Sequence, residues 1–324
     1  MILITGATGF LGSHLALDLI NSGQKVRAIK RASAEIPENI KQLAIEWVDG
    51  DVLDYFSLED ALQGVSKVYH CAAKVALNPK YKAEMYKTNI EGTANVVNAC
   101  LNMGVDKLVH VSSIAAIGFG KPGEIIHEDH KFEYAPTNSA YAVSKYESEN
   151  EVWRGTAEGL NAIVVNPSII IGMDNWAKGS GRLFGMIDKG SKIYAEGGCG
   201  YVDVRDVTAT MIRLMESDII NQRFIINGGN LSFKELFSLI AKNLNKPAPS
   251  ILVKKWHLSI GWRLAKFISL ITGKEASLTK DTAVAAPVKQ YYSNEKLLKS
   301  IDHHFIPLDE SIRYICEKQK TLRG

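Results

Sequence analysis

The stretch ILITGATGFLGSHL, residues 2–15, constrains the fold of this chain more than any other part of its sequence. A short apolar strand is followed at once by Gly6, Gly9 and Gly12, and an amphipathic helix begins behind them. Gly6 permits a tight turn, Gly9 lets the backbone approach a pyrophosphate, and Gly12 allows close packing of helix and strand. A glycine-rich turn that binds nothing is the alternative, but the order strand, loop, helix favours a dinucleotide site.

Short β-rich runs continue to alternate with helical patterns to about residue 170, which predicts parallel strands joined by crossover helices. The predicted strands are 2–5, 25–30, 44–48, 66–71, 107–112 and 162–168. The predicted helices include 11–22, 87–103 and 139–158, each of which ends before a glycine suited to a left-handed cap. The pattern therefore predicts an α/β fold, a Rossmann doubly wound parallel sheet.

The pattern becomes less regular after Pro167. Glycine-bearing loops such as AEGGCGY (195–201) alternate with short elements, and RFIINGG (223–229) has the composition of one more buried strand. We expect residues 1–168, together with that strand, to form a nucleotide-binding domain. Residues 169–324 are expected to form mostly a smaller, substrate-binding portion.

Composition and charge exclude several classes of protein. The chain has 324 residues, of which 46% are apolar, and its net charge of +3 is spread along the sequence, which does not indicate a nucleic-acid surface. Four scattered cysteines without a Cys-x-x-Cys pair fit a reducing cytoplasm, and no stretch is long enough for an integral membrane segment. The HEDH run (127–130) lacks a partner at recognisable ligand spacing, so no metal site is predicted. We expect a cytoplasmic protein with a small-molecule substrate.

YAVSK places Tyr141 and Lys145 at i and i+4, so that both side chains share one helix face. The same spacing recurs at 292–296 and 314–318, in segments expected to be C-terminal helices with surface neighbours. Only the first pair begins the helix after the fifth strand, at the carboxyl edge of the sheet. A phenol with a pKa of about 10 is a poor acid or base at neutral pH, and a nearby ammonium lowers that pKa. A hydroxyl from Ser112 or Ser113, at the end of the fifth strand, would complete the site.

Further motifs agree with this order over nearly the whole chain. They are the Gly-x-x-Gly-x-x-Gly spacing at 6–12, GDVLD at 50–54, CAAK at 71–74, TNIEGTANVVNAC at 88–100, VSS at 111–113, YAVSK at 141–145 and YVDVRDV at 201–207. Together they resemble the extended short-chain dehydrogenase/reductase group, the NAD-dependent epimerase/dehydratase superfamily. The resemblance implies Ser113, Tyr141 and Lys145 as the catalytic residues, with Ser112 a buried strand-end hydroxyl. Soluble relatives often pair through two helices here at 87–103 and 139–158, which implies a homodimer.

The resemblance also implies a set of cofactor contacts. Asp51 would bond the adenine amino group, Val52 would flank the ring, and Asn89 would order the backbone nearby. The full set expected to bind the cofactor is Gly6, Thr8, Gly9, Phe10, Leu11, Gly12, Lys30, Arg31, Asp51, Val52, Ala72, Ala73, Lys74, Tyr141, Lys145, Pro167 and Ile169.

The end of the second strand bears on the choice of nicotinamide cofactor. An acidic residue there bonds the ribose of NAD, whereas a basic residue accommodates the 2′-phosphate of NADP. This strand ends in Lys30 and Arg31, with no carboxylate until Glu35. The sequence predicts NADP(H), with Arg31 the first phosphate contact and Lys30 the second; NAD(H) with a merely solvated basic pair is the alternative.

Three functions compete within the resemblance. VVNPSIIIG (164–172) has Ile169 where sugar epimerases align an asparagine, and it resembles dihydroflavonol reductases instead. Ser113 is followed by Ile-Ala, which lacks the extra acid and base of sugar dehydratases. We therefore expect a carbonyl reductase or alcohol dehydrogenase close to the dihydroflavonol 4-reductase and 3β-hydroxysteroid dehydrogenase types. A nucleotide-sugar epimerase is the first alternative, and an NADP-binding sensor or scaffold is the second.

The substrate cannot be read from the sequence, but the regions that would contact it can be named. They are 75–86, 114–138, 168–200 and the helix at 256–271, with Ser168, Met173, Tyr194 and Tyr201 as candidate lining residues. The helix at 256–271 has an apolar stripe with basic neighbours, which fits either a lid or a contact with a membrane surface.

Overall fold

The structure is a computed structural model that describes residues 1–76, 78–121, 123–173, 176–177, 179–272 and 278–323. The positions 77, 122, 174–175, 178, 273–277 and 324, which belong to the predicted substrate-contact regions or to the C-terminal portion, lie outside the described residues.

The strands are β1 (Ile2–Thr5), β2 (Val26–Lys30), β3 (Ile45–Asp49), β4 (Lys67–His70), β5 (Lys107–Val111), β6 (Ile125–Ile126), β7 (Ala162–Pro167), β8 (Ile169–Ile171), β9 (Ile193–Ala195), β10 (Gly198–Asp203), β11 (Gln222–Ile226), β12 (Gly229–Ser232), β13 (Ile251–Val253) and β14 (Tyr291–Tyr292). The helices are α1 (Phe10–Asn21), α2 (Tyr55–Ala61), α3 (Lys82–Tyr86), α4 (Gly92–Asn102), α5 (Ala140–Ala157), α6 (Gly181–Asp188), α7 (Val204–Glu216), α8 (Phe233–Leu244), α9 (Lys255–Thr272), α10 (Lys280–Ala285), α11 (Glu295–Ser300) and α12 (Leu308–Arg323).

Seven strands form one parallel sheet in the order β11-β7-β5-β4-β1-β2-β3. The order reverses at β1, so the sheet is doubly wound and its switch point lies beside the first glycine loop. β1 and β7 are buried along their whole length, as expected for apolar strands with helices on both faces. The predicted Rossmann fold is confirmed, and the strand predicted near 223–229 is its edge strand β11.

Helix ends follow the predicted glycines. Gly23, Gly104 and Gly159 have φ of +80°, +66° and +107°, the left-handed region that favours glycine. The helix predicted at 87–103 differs at its start, because Lys87–Glu91 forms a π-helical turn before α4 begins. Asn89 lies in this turn, and its backbone carbonyl accepts a hydrogen bond from Thr93 Oγ1 at 2.6 Å. Such turns inside helices are frequent near functional sites.

Two apolar layers cover the sheet. One packs β-strand residues against α1 and α7, through side chains such as Leu15 and Leu214, and the other packs them against α2, α4 and α5, through Leu58 and Val97. Each such side chain contributes roughly 1.5–3 kcal/mol when fully buried.

The described strands outside the main sheet form three small sheets, β12-β10-β8, β13-β9 and β14-β6, and all of these strands follow β7 in the chain except β6. A third apolar cluster joins β10 to α6, α8 and α12. The boundary between domains at residue 168 stays a prediction. Among the described residues, no helix combines the length and the apolarity needed to cross a bilayer.

Candidate active site

The glycine loop between β1 and α1 is shaped by contacts that leave no room for side chains. Gly6 has φ of +75°, and a Cβ there would lie 2.6 Å from the backbone nitrogen of Ala72. A Cβ on Gly12 would collide with the Gly6 carbonyl, so the third glycine makes room for the first. At Gly9 a Cβ would meet only the Gly6 oxygen, at 3.3 Å. The loop is therefore closed toward the protein and open beside Gly9.

A cavity of about 350 Å³ lies at the N-terminal end of α1. It is lined by Thr8, Gly9, Phe10, Ser13, His14, Pro37, Glu38, Asn39 and Met173. The first turn of α1 holds no acidic residue, and its unpaired amides and dipole favour an anion. The open loop and this cavity fit the pyrophosphate of a dinucleotide. Leu11, by contrast, packs against the core beneath the loop.

The two basic residues at the end of β2 differ in their surroundings. Lys30 Nζ forms an ion pair with Asp49 Oδ1 at 2.8 Å, across the β2–β3 register. Arg31 is exposed, and within the described part of the chain no carboxylate forms an ion pair with it. Arg31 is therefore the better placed of the two to meet an added phosphate.

The predicted adenine contacts and the further cofactor contacts lie on the loops after β3 and β4. Asp51 Oδ1 accepts a hydrogen bond from the Leu53 amide at 3.0 Å, and Val52 is buried against Gly92. Ala72 is half-buried under Gly6, and Ala73 is exposed. These positions stay predicted cofactor contacts.

Asn89 connects the loop after β4 to helix α5. Its side chain accepts from the Lys74 amide at 2.7 Å and donates to the Lys74 carbonyl at 3.0 Å. The same amide group donates to Ser144 Oγ at 3.0 Å. The Lys74 ammonium itself pairs with Glu84 and lies 5.0 Å from the ring centroid of Tyr81. Asn89 thus orders the backbone, as the resemblance implied, whereas the Lys74 side chain is paired with Glu84 of α3.

The three predicted catalytic side chains meet at the carboxyl end of β5. Ser113 is the second residue after the strand, and Tyr141 lies in the first turn of α5, one helical turn before Lys145. Lys145 Nζ donates to the carbonyl of Val111, the last residue of β5, at 2.7 Å. This bond fixes α5 across the end of the strand. Ser112, the other candidate hydroxyl, is buried as predicted.

Electrostatics at Tyr141 and Lys145 are dominated by burial. Removal from water raises the pKa of Tyr141, and a side-chain hydrogen bond with Ser113 lowers it in part. Burial also lowers the pKa of Lys145 from 10.5 to about 8, against the effect of the Glu149 carboxylate. The sequence suggested that Lys145 would bring the pKa of Tyr141 down. The net shift of the Tyr141 pKa in this structure is upward, because burial of the phenol outweighs its hydrogen bond with Ser113.

The other two Tyr-x-x-x-Lys pairs have different surroundings. Tyr292 belongs to the short strand β14 and is buried, and Lys296 donates to the Arg223 carbonyl at 2.9 Å. The interpretation of that pair as surface helix neighbours was wrong, because the run Tyr291–Tyr292 pairs with β6. Tyr314 and Lys318 do lie on one helix, α12, with Nζ 5.7 Å from the ring centroid.

Sequence reasoning missed a buried polar network behind helix α5. Glu149 is buried and accepts from Asn166 Nδ2 at 2.6 Å, and Arg223 forms an ion pair with its other oxygen. The Asn166 amide also donates to the Ser113 carbonyl at 2.9 Å. Two signals could have pointed to it: Glu149 follows Lys145 by four residues, and Asn166 interrupts the apolar strand AIVVNP.

Two histidines are buried in the sheet beside the site. His70 Nδ1 lies 2.7 Å from Thr5 Oγ1, and its Nε2 lies 2.9 Å from Thr93 Oγ1. Burial lowers the pKa of His70 from 6.5 to about 3, and Lys145 adds to the effect. Burial and Lys145 also lower the pKa of His110, whose ring centroid is 5.1 Å from that of His70. Both imidazoles are therefore neutral at ordinary pH.

The remaining predicted residues lie around the end of β7. Pro167 ends that strand, and Ile169 begins β8 and is half-buried. Ser168 and Tyr201 are buried, so Tyr201 belongs to the core and not to a substrate surface. Met173 and Tyr194 are half-buried, and Met173 lines the cavity.

The acidic loop at 127–130 has a structural role. Glu128 accepts a hydrogen bond from the Ile225 amide of β11 at 2.8 Å. Within the residues that the structure describes, no group of three or more His, Cys, Asp or Glu side chains is arranged to hold a metal ion.

Comparison with known proteins gives matches over most of the chain. The sequence profile of the NAD dependent epimerase/dehydratase family matches residues 2–226. "Putative dihydroflavonol 4-reductase" from Synechocystis sp. is 29% identical over 305 residues, covering 92% of this chain and 88% of the relative. Cinnamoyl-CoA reductase 1 from Oryza sativa subsp. japonica is 30% identical over 259 residues, covering 74% and 75%.

Solved structures resemble the whole chain. The crystal structure of gox2253 has a TM-score of 0.85 at 28% identity and covers 100% of this chain and 98% of its own. UDP-glucose 4-epimerase from Thermotoga maritima has a TM-score of 0.81 at 20% identity, covering 100% and 99%. At that identity the second likeness supports the fold alone.

Proposed function

The chain belongs to the NAD dependent epimerase/dehydratase family, and we propose that it reduces a carbonyl group of a small organic substrate with NADPH, or oxidises the corresponding alcohol with NADP⁺. It is an NAD(P)-dependent oxidoreductase, like the reductases and dehydrogenases that it matches. The observation that carries the proposal is the meeting of Ser113, Tyr141 and Lys145 at the carboxyl end of β5.

The proposed mechanism assigns one task to each side chain. The glycine loop with Gly6, Gly9 and Gly12 would hold a nicotinamide dinucleotide, which would supply or accept the hydride. Tyr141 donates a proton to the carbonyl oxygen, and its raised pKa keeps the phenol protonated for that step. Ser113 hydrogen-bonds the same oxygen and stabilises its developing charge. Lys145, held on the Val111 carbonyl, keeps α5 and Tyr141 in position.

The preference for NADP(H) rests on Arg31. Its guanidinium is exposed at the end of β2, where the glycine loop would orient an adenosine ribose, and a guanidinium binds phosphate with paired hydrogen bonds. Lys30 is occupied by Asp49 and contributes less.

Turnover with a matched control tests the proposal. NADPH oxidation would be followed across aldehydes, ketones, steroids and UDP-sugars. Tyr141→Phe removes the proton donor and should lower kcat by about 10²–10⁴-fold. Tyr314→Phe alters the pair with the same spacing on α12 and should leave kcat unchanged. A Tyr141→Phe protein with full turnover would contradict the mechanism.

The same assay separates the alternatives. Interconversion of a UDP-sugar without net NADPH oxidation would identify an epimerase. Tight cofactor binding without turnover on any substrate class would support a sensor.

We also propose that the protein acts in the cytoplasm as a homodimer formed through α4 and α5. These helices pack side by side, and Arg154 on α5 donates to Asn98 on α4 at 2.8 Å, which makes one continuous surface. Light scattering of the purified chain should give twice the monomer mass; the monomer mass would contradict the dimer.

A further inference from the structure

Helix α9 carries an apolar surface that faces solvent. On one side it packs against α10, and Leu278, which precedes α10, lies so close to Gly261 that a Cβ there would be 3.3 Å from its side chain. The opposite side presents four exposed apolar side chains, with exposed fractions between 52% and 61%. We call this set the apolar stripe: Trp256, Ile260, Leu264 and Phe267.

The geometry of the stripe is that of one helix face. Its members are separated by four, four and three residues, which places them within one side of a helix with about 3.6 residues per turn. The stripe extends over about 16 Å at about 1.5 Å per residue. Before the helix, Ile251 of β13 and its partner Ile193 of β9 are exposed as well. Exposed apolar side chains are thus also present on the strand pair that precedes the helix.

The charged residues of α9 and of the segment just before it are all basic. Lys254, Lys255, Arg263 and Lys266 are all exposed, and the sequence from 251 to 272 contains no acidic residue. At 100° per residue, Lys255, Arg263 and Lys266 lie along one flank of the stripe. Arg263 is held there by hydrogen bonds to Ser259 and by the Trp262 ring, whose centroid is 4.7 Å from the guanidinium.

We propose that α9 attaches the protein to the surface of a bilayer that contains anionic phospholipid. The helix lies in the plane of the interface, with the apolar stripe among the upper acyl chains and the cations at the lipid phosphates. Long Lys and Arg side chains reach the head groups from such a position while their stems cover apolar surface. A second copy docked on the same face would bring an all-cationic segment against itself, which disfavours self-association. The inference does not depend on the chemistry at the active site.

Flotation of the full-length protein with vesicles tests it. Binding is expected to vesicles of phosphatidylcholine mixed with phosphatidylglycerol and not to phosphatidylcholine alone. Ile260→Glu/Leu264→Glu should lower the bound-to-free ratio at least about tenfold, since apolar burial drives interfacial binding. The control is Phe56→Glu/Ile220→Glu, which alters exposed apolar residues elsewhere and should bind like the wild type.

A charge-reversal pair tests the electrostatic part. Lys255→Glu/Lys266→Glu should lower binding to the anionic vesicles at least about tenfold, and salt should weaken wild-type binding because it screens exposed charges. The control variant, Lys25→Glu/Lys234→Glu, has the same net charge as Lys255→Glu/Lys266→Glu and should still bind the anionic vesicles. Thermal unfolding shows whether each variant is folded.

Three results would overturn the proposal. Equal binding to neutral and anionic vesicles, or none to either, would exclude an anionic surface as the partner. A stripe variant that changes KM with vesicle binding intact would identify a lid. A stripe variant with a lower mass than the wild type, by light scattering without lipid, would identify a second copy as the occupant.

Discussion

Lys145 and Glu149 lie one turn apart on α5, and their side chains are only 2% and 0% exposed. Burial lowers the pKa of Lys145 to about 8, while the Glu149 carboxylate raises it. Glu149 in turn is paired with Arg223 of the edge strand β11 and bonded to Asn166, which also holds the carbonyl of Ser113. A continuous polar network therefore supports two of the three proposed catalytic residues from behind.

Glu149→Gln should destabilise the protein strongly. It leaves the Arg223 guanidinium without its buried partner, and breaking such a pair costs about 3–5 kcal/mol. The matched control is Glu151→Gln on the same helix, whose carboxylate pairs with Arg154 at the surface and should contribute less than about 1 kcal/mol. Urea unfolding measures the stability of both variants. Equal losses of stability would show that the buried ion pair stabilises the protein no more than the surface pair does.

Lys145→Met should increase stability at neutral pH while it removes activity. The folded pKa of about 8 lies below the ordinary value of 10.5, so the unfolded chain binds more protons between those values. Below this window the buried, protonated lysine lowers the stability of the wild type by roughly 3 kcal/mol. Wild-type stability should therefore rise with pH across the window, by about 1.4 kcal/mol per pH unit.

The variant should lack this pH dependence and be more stable at pH 7 by up to roughly 3 kcal/mol. Lys318→Met, in the exposed pair on α12, should keep the wild-type pH dependence of stability. Denaturant unfolding at a series of pH values measures the effect, and identical pH profiles for Lys145→Met and wild type would contradict it.

Acid should destabilise the fold through its buried histidines. The folded pKa of His70 is about 3, below the ordinary 6.5, so the unfolded chain takes up a proton that the folded chain does not. Stability should fall as the pH drops through this window, by about 1.4 kcal/mol per unit for each such histidine.

His70→Gln should reduce that slope by the contribution of one histidine, about 1.4 kcal/mol per pH unit. His304→Gln, at a side chain 99% exposed, should not change it. Unfolding free energies measured between about pH 7 and pH 4 test this prediction. An unchanged slope in His70→Gln would show that His70 is protonated in the folded state.

Arg31→Ala should change cofactor choice. Loss of a charge-assisted phosphate contact is expected to raise KM for NADPH at least about tenfold and to leave KM for NADH nearly unchanged. Lys30→Ala, which loses mainly the pair with Asp49, should change either value less. Steady-state kinetics with both cofactors measures this; a wild-type preference for NADH would refute the assignment of NADP(H).

Much of the fold was predictable because its signals are local. The alternation of strands and helices, the glycines that end α1, α4 and α5, and the glycine loop all reflect contacts within a few residues. The order of the sheet then follows from right-handed crossovers between parallel strands. The π-helical turn at Lys87–Glu91 was not predictable, since the bonds of Asn89 reach residues 15 and 55 positions away.

The sequence by itself determined the class of fold, the glycine loop and the pairing of Tyr141 with Lys145 on one helix face. Only the tertiary structure decided how those groups are charged. Arg223 meets Glu149 across 74 positions of the chain, and burial sets the pKa of Tyr141, Lys145 and His70. Such shifts depend on how completely distant segments exclude water from a side chain, and no pattern within a short stretch of sequence carries that information.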